Sequence, residues 1–441
     1  MTSLTRQSPT TLLARLIDAP DLVQQVRALP DPVFATIIRQ LGVEDAGELV
    51  ALATTEQLVA AFDEDLFIND APGERERFSV NRFVTWLEVI LEAGDEAAAK
   101  RVTELSEDFV VHALSRIMLV FDVDSLAERL RSNDPSAESA DRALENTYTE
   151  QIDHYFLVSR VETGWDAAFA LVVALDRSHH EVLIQILDRC VAVAGGYMDD
   201  LDALNRVLTS SESLAEDVEG DRQERRARLG YVDPVDARSF LALARLGTDD
   251  QSGDPPNEER DAISRAYIAD QPAPVPLAID RGDSAELREQ LAIACMDADT
   301  SPGISAEVVG SGKPESIVTA LQLLAGDDPD CFDERMRELA YLANVLLAGA
   351  RIDGHRLRPA EATDVSVQTV ALGAALIVFE QNSGLTPEAP SADDLRTVLR
   401  KHSADRLFRK ASRFLASREL TPESESFVRS EGQLEELLTM K

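Results

Sequence analysis

The amino-acid sequence predicts an all-α (mainly α) protein, stacked from short helices with at most one short β element. Three observations lead there. Apolar residues return at helical spacing, starting with Leu22, Val23 and Val26 and then Phe34, Ile37, Ile38 and Leu41. Aromatic residues are 5% of the chain against 44% hydrophobic, so aliphatic side chains and alanine dominate, a mixture suited to helix-on-helix packing. The best strand candidate is a single segment, 152–162 (IDHYFLVSRVE), β-branched and aromatic over a short span.

The elements follow in order. Ser8-Pro9 opens a first helix with a capping residue and proline at its first position. Residues 20–66 read as a run of helices of about three turns or less, each too short to stand alone in water. Such pieces must stack, which is the grammar of a helical superhelix. Thr54-Thr55-Glu56-Gln57 supplies a capping box. After a polar break at 69–77, Ser79 starts a longer helix carrying Phe83, Trp86, Leu87, Ile90 and Leu91. Helices follow at 95–105 and 106–121, the second with Phe109, Val110, Ala113, Ile117 and Val120 on one face. Beyond the strand, Gly164-Trp165 leads into helices at 165–176 and 178–194, with further ones at 201–214 and 216–229. Asp233-Pro234 restarts a helix through Phe240 and Leu243. The last part holds helices near 261–270, 284–297, 315–326, 332–351, 366–381, 391–402 and 404–418.

Loss of periodicity at 131–147 and 248–260 marks two linkers. The expected organisation is a superhelical domain at 1–130, a middle helical domain at 148–247, a C-terminal helical domain at 261–420 and an acidic tail at 421–441.

Charge narrows the partners. Eighty acids against 43 bases give a net charge of −37, a field that repels nucleic acid and anionic membrane surfaces. The acids form a solvated surface suited to high salt, or a patch that recruits a basic partner or divalent ions. The longest apolar run, 370–379, is about half of what a bilayer requires, so no membrane insertion is expected. Cys190, Cys295 and Cys331 are widely spaced with no CxxC, which fits a reducing compartment. The N-terminus lacks an apolar core of signal-peptide length, and the expected location is cytoplasmic.

Several segments approach a chemical motif and miss it. His179-His180-Glu181 with Cys190 suggests a metal, but neighbouring helical residues point about 100° apart and cannot share an ion undistorted. A calcium loop counted from Asp297 needs glycine and glutamate where Pro302 and Val308 stand. Gly310-Ser311-Gly312-Lys313 lacks the hydroxyl residue and the earlier glycine of a phosphate loop. Gly303-Ile304-Ser305-Ala306-Glu307 lacks the last glycine of a nucleophile elbow. Tyr155 and Trp165 read as core anchors. Arg222, Arg225, Arg226 and Arg228 share one helical flank and read as the only basic cluster of an acidic chain. They pair with the preceding Glu212, Glu216, Asp217 and Glu219 and complement a helix C-terminus. Alternatively they offer an anion or partner docking point, since guanidinium forks suit carboxylate or phosphate.

Two resemblances add to this. The rhythm of Leu29-Pro30 through Ile37, Ile38 and Leu41, then Glu56-Gln57-Leu58, resembles the cytosolic N domain of MgtE-type magnesium transporters, over residues 10–130 at most. More distantly it is similar to the middle domain of the flagellar rotor protein FliG. Residues 221–243 resemble an element of a bacterial family of unknown function whose members pair it with an MgtE-like N-terminal region. Arg225, Arg228, Leu229, Gly230, Tyr231, Asp236 and Ala237 carry that likeness. The chain departs from it in a shorter Leu229-Gly230 spacing and in aspartate for glutamate at 236. The resemblance implies a fold and no activity: the transporter's membrane half is missing, and magnesium sensing is all that could carry over.

The functional expectation is a non-catalytic cytoplasmic interaction or regulatory protein that holds a protein partner on helical surfaces. No catalytic, cofactor-binding or metal residue is assigned, and the oligomeric state stays open. One alternative is a divalent-cation-responsive sensor whose acidic faces approach when Mg²⁺ neutralises them. The other is an enzyme with a helical pocket using His154, Glu162 or the arginine cluster.

Overall fold

A computed structural model describes residues 22–123, 147–161, 163–198, 210–246, 315–352, 355–381 and 390–417. The expected helix at Ser8-Pro9, the linkers at 131–146 and 248–260, the helices near 261–270 and 284–297, the near-motifs between 297 and 313, Glu162 and the acidic tail lie outside those residues. The fold is mainly α, as the periodicity predicts. The described residues among 22–68 and 77–223 group as one unit, and those among 69–76, 224–246 and 315–417 as a second.

Unit one begins with α1 (Leu22–Arg27), α2 (Asp31–Leu41), α3 (Gly47–Leu52) and α4 (Thr55–Asp65). The capping box at the start of α4 is present: Gln57 N–H donates to Thr54 Oγ1 at 3.2 Å, and Thr54 N–H donates to Gln57 Oε1 at 3.0 Å. Gln57 is wholly buried, and its Nε2 also donates to the carbonyls of Val26 and Leu29 at 2.8 Å each. One side chain thus starts α4 and satisfies the orphan carbonyls where α1 ends, which fixes how these short helices stack.

Strands β1 (Phe67–Ile68) and β2 (Arg77–Phe78) pair antiparallel. Helix α5 (Val80–Glu92) is capped by Ser79 as expected and carries Trp86, which is fully buried and donates to Asp65 Oδ2 at 2.6 Å. Helices α6 (Asp95–Glu104) and α7 (Glu107–Ile117) follow. The helix expected to run to Phe121 ends at Ile117 instead. Residues Met118–Asp122 (MLVFD) form β3, because a β-branched and aromatic run finds strand partners. Its partner is β5 (Tyr155–Ser159), which pairs on its other side with β4 (Thr149–Ile152) across a turn at Asp153 and His154, in an antiparallel sheet ordered β3-β5-β4. Of the segment 152–162 expected as one strand, Tyr155–Ser159 is the central strand of the sheet, while Ile152 ends β4 and Asp153 and His154 form the turn. With two further two-stranded hairpins, β content exceeds the one element expected.

Helix α8 (Trp165–Ser178) starts at Gly164 with φ +89°, where an added Cβ would lie 2.2 Å from Val84 Cγ2. Helices α9 (His180–Met198) and α10 (Ser210–Arg228) follow. Trp86, Leu114, Tyr155, Leu171 and Leu175 lie in the core of this unit.

Unit two holds α11 (Pro234–Leu246), α12 (Glu315–Asp327), α13 (Pro329–Gly349), a hairpin of β6 (Arg351–Ile352) and β7 (His355–Arg356), α14 (Pro359–Gln381), α15 (Ala392–Lys401) and α16 (Ala404–Ser417). The polar break expected at 69–77 supplies 69–76 to this unit: Gly73 N–H donates to Ala348 O at 2.9 Å and Arg351 Nη2 to Asp70 O at 3.0 Å. Helix α14 is long and apolar enough over Glu361–Gln381 to span a bilayer, yet 61% of that stretch is buried within the protein. Its Gly373 meets α16 so closely that an added Cβ would lie 2.0 Å from Leu407 O. A buried ion pair fixes the joint between α15 and α16. Arg335 Nη1 donates to Glu338 Oε2 at 2.5 Å, Arg335 Nε to Leu399 O at 2.9 Å, and Ala404 N–H to Glu338 Oε2 at 2.7 Å. The guanidinium thus serves a helix C-terminus and the carboxylate a helix N-terminus, each matching the local dipole.

Candidate functional site

The arginines of α10 are held by structure. Arg222 is 2% exposed; its Nε and Nη2 donate to Asp63 O at 2.8 and 2.6 Å, and its guanidinium lies 4.1 Å from the Phe67 ring centroid. Asp63 belongs to the last turn of α4, so Arg222 serves an orphan helix carbonyl. Arg226 pairs with Glu76 at 2.7 Å and stacks over Tyr231 at 4.7 Å. Arg228 bonds Glu224 at 2.6 Å on an exposed helix face. Arg225 is half-buried and likewise engaged. Arg222 belongs to unit one and the other three to unit two.

The segment around them is a helix stop followed by a helix start. Gly230 has φ +86°; Gly230 N–H donates to Ala227 O at 2.9 Å and Tyr231 N–H to Arg226 O at 3.0 Å, the Schellman pattern. Asp233 Oδ1 then accepts from Val235 N–H at 2.8 Å and Asp236 N–H at 3.3 Å, with Pro234 opening α11. Glycine is required at 230 because a Cβ disfavours that φ, and the tyrosine after it packs under Arg226. The sequence element at 221–243 therefore spells local structure.

Cys190, His112 and Tyr155 are buried, whereas His154 is exposed. The Cys190 thiol is pushed up to about 12 by burial, is hydrogen-bonded to Ser115 at 3.6 Å, and stays protonated and inert. His112, against Phe78 at 5.0 Å, is pulled down to about 4 by burial, with Arg116 adding to it. Tyr155 donates to Asp188 at 2.6 Å, and burial first, then that carboxylate, raises its pKa. It is a core anchor, as is Trp165, 6% exposed at the start of α8. His154 lies in the β4–β5 turn with its ring 4.0 Å from Tyr155.

Of the pair at 179–180, His179 faces Ser178, while His180 meets two carboxylates. His180 Nδ1 lies 2.9 Å from Asp176 Oδ1, and Nε2 lies 3.9 Å from Asp153 Oδ2. Asp153, Asp176 and His180 are exposed and each brings one ligand atom within 4.8 Å of the others. This set could hold a divalent ion. The sequence offered no signal for Asp153 and Asp176, which a strand turn and the end of α8 bring to His180. Elsewhere in unit one, a depression of about 620 Å³ is lined by Glu44, Asp45, Glu48 and Glu92 among others.

A second basic cluster is present in the sequence of α15 and α16. Arg396, Arg400 and Lys401 on α15 and Arg406, Arg409, Lys410 and Arg413 on α16 stand against Asp405 alone between 396 and 413. The arginines of α10 are thus not the only basic cluster. On α16 these residues recur at i, i+3, i+4 and i+7, one helical stripe, while Leu407, Phe408 and Ala411 face the core. Arg396 pairs with Asp327 and Asp393, Arg400 with Asp328 at 3.6 Å, and Lys410 with Glu380 at 2.9 Å. Arg409 turns inward, its guanidinium 4.4 Å from the Phe240 ring centroid. His402 is lowered by burial and then by Arg406, Lys401, Arg335 and Lys410, which together surround it with positive charge.

Comparison with curated proteins and with solved structures gives no match. A family model described as a family of unknown function (DUF6178) matches residues 1–416, and the chain belongs to that family.

Proposed function

We propose that the protein is a non-catalytic, cytoplasmic interaction or regulatory protein that holds a protein partner on helical surfaces. The observation that carries this reading is a set of large apolar side chains left partly in solvent where α10 ends and along α11. Leu229 is 55% exposed, Tyr231 38%, Val235 45% and Leu243 57%. Helix α11 buries Ala237, Phe240, Leu241 and Ala244 on one face, and its exposed face carries Val235, Ala242 and Leu243 together with Arg238 and Ser239. Covering the exposed half of each such side chain contributes about 1 kcal/mol. The likeness of residues 10–130 to the MgtE-type N domain belongs to this reading, as a domain that presents surface.

The test is affinity isolation of tagged full-length protein from its native cells beside the V235D/L243D variant, both checked for an unchanged unfolding transition. A partner recovered in fixed stoichiometry by the natural chain and lost by the variant supports the reading. A chain that elutes alone, or a variant that keeps the partner, contradicts it.

Asp153, Asp176 and His180 favour a second reading, a divalent-cation sensor. One imidazole with two carboxylates suits zinc or manganese better than magnesium, which prefers oxygen ligands. Thermal unfolding at matched ionic strength of NaCl, MgCl₂ and MnCl₂ separates the cases. A rise specific to one divalent ion and absent in H180A supports a sensor. A response that follows ionic strength alone rejects it.

A further inference from the structure

We propose that the outer stripe of α16, with Lys401 at the end of α15, docks a short acidic segment of a protein partner; this rests on the partner-binding reading above.

Three features of unit two carry it. The first is charge. Between 396 and 413 the chain is strongly basic, although the whole carries a net −37. Arg406, Lys410 and Arg413 lie at i, i+4 and i+7, and Lys401 is exposed beside them. The second is availability. Among the described residues Lys401, Arg406 and Arg413 have no ion-pair partner, and Lys410 pairs with Glu380, which is itself 62% exposed. An exposed pair of that kind contributes little and exchanges readily for another carboxylate. The third is rigidity. The inner face of α16 is anchored by Leu407, Phe408 and Ala411, and the joint before it is locked by Arg335 and Glu338. A docking segment therefore meets cations whose backbone is already fixed, which lowers the ordering cost of binding.

Size selects the partner's chemistry. Arg406 to Arg413 covers about 10 Å along the helix, the reach of about three residues of extended chain. That suits two or three carboxylates. A nucleic acid would carry its phosphates on past the stripe into the field of an acidic protein. A short segment stays within about a Debye length of the cations, about 8–10 Å.

The experiment uses the full-length protein and a fluorescein-labelled hexaglutamate peptide, read by anisotropy at low and moderate salt. Binding that weakens with salt, and falls at least tenfold in R406E/K410E, is expected. The R406Q/K410Q variant, a milder change, gives an intermediate loss, while K100E/R177E, at exposed positions on α6 and α8 and with the same change in net charge as R406E/K410E, binds as the natural chain does. Absence of peptide binding, an equal loss in K100E/R177E, or tighter binding of an oligothymidylate through the same residues overturns the proposal. If the peptide fails to bind while V235D/L243D still loses its partner, this surface is wrong and the partner-binding reading stands. If the peptide binds but no partner depends on the α11 row, the docking surface stands and that reading falls.

Discussion

Arg222 donates two hydrogen bonds to a single helix carbonyl, lies against Phe67 and is almost wholly buried. Removing it leaves Asp63 O unsatisfied in the core and a cavity beside an aromatic ring. R222A is therefore expected to cost about 2–4 kcal/mol, and R222K recovers only part, because an ammonium lacks the fork. R228A, whose pair with Glu224 is mostly exposed, stays within about 0.5 kcal/mol. Urea unfolding midpoints of the three variants check this. His112 gives a pH prediction. The unfolded chain takes up a proton near pH 6.5 that the folded chain refuses until about pH 4. Its contribution to stability is full above pH 6.5 and falls as pH is lowered towards 4, by about 3 kcal/mol at most. Denaturation of H112F across that range should show a shallower fall than the natural chain; an identical slope would mean that His112 does not titrate there. At this scale the site was half legible. The arginine spacing on α10 was visible in the sequence, but Asp63 and Glu76 lie far from it along the chain. The stripe on α16 is equally visible as spacing.

At the scale of elements, caps carried the sequence reading. Thr54, Ser79, Gly164 and the Asp233-Pro234 pair each mark a helix start where the structure has one, because local hydrogen bonds or φ decide those positions. The error at Met118 has a non-local cause. Residues 118–122 are extended because β5, more than thirty residues on, supplies the pairing, and no local spacing encodes a strand partner. Close helix contacts were equally out of reach of periodicity. Gly373 lies within the apolar run of α14 and is where α14 and α16 approach. G373A is expected to force these helices apart and to destabilise by about 2–3 kcal/mol, despite alanine's higher helix propensity. T54A, which opens the capping box, should cost about 1 kcal/mol. Thermal unfolding of both variants checks the order of the two effects, and G373A as stable as the natural chain would refute the close contact.

For the whole molecule, charge and apolar surface pull in opposite directions. A net −37 repels copies of the chain from one another and destabilises through self-repulsion at low ionic strength. Added NaCl is therefore expected to raise the unfolding temperature until the charges are screened, with little change beyond. Against that field, unit two leaves Leu229, Tyr231, Val235 and Leu243 in solvent and gathers cations on α15 and α16. Composition alone showed the acidity but could not place the apolar row, since Val235 and Leu243 become exposed only once the buried face of α11 is known. The most direct measurement is photocrosslinking in the native cell, with a photoreactive residue at position 243 and, in a second strain, at Glu96, which is exposed on α6 of unit one. A discrete protein adduct at 243 and none at 96 is the predicted result. Equal labelling at both positions, or none at 243, would contradict a partner held on the apolar row of α11.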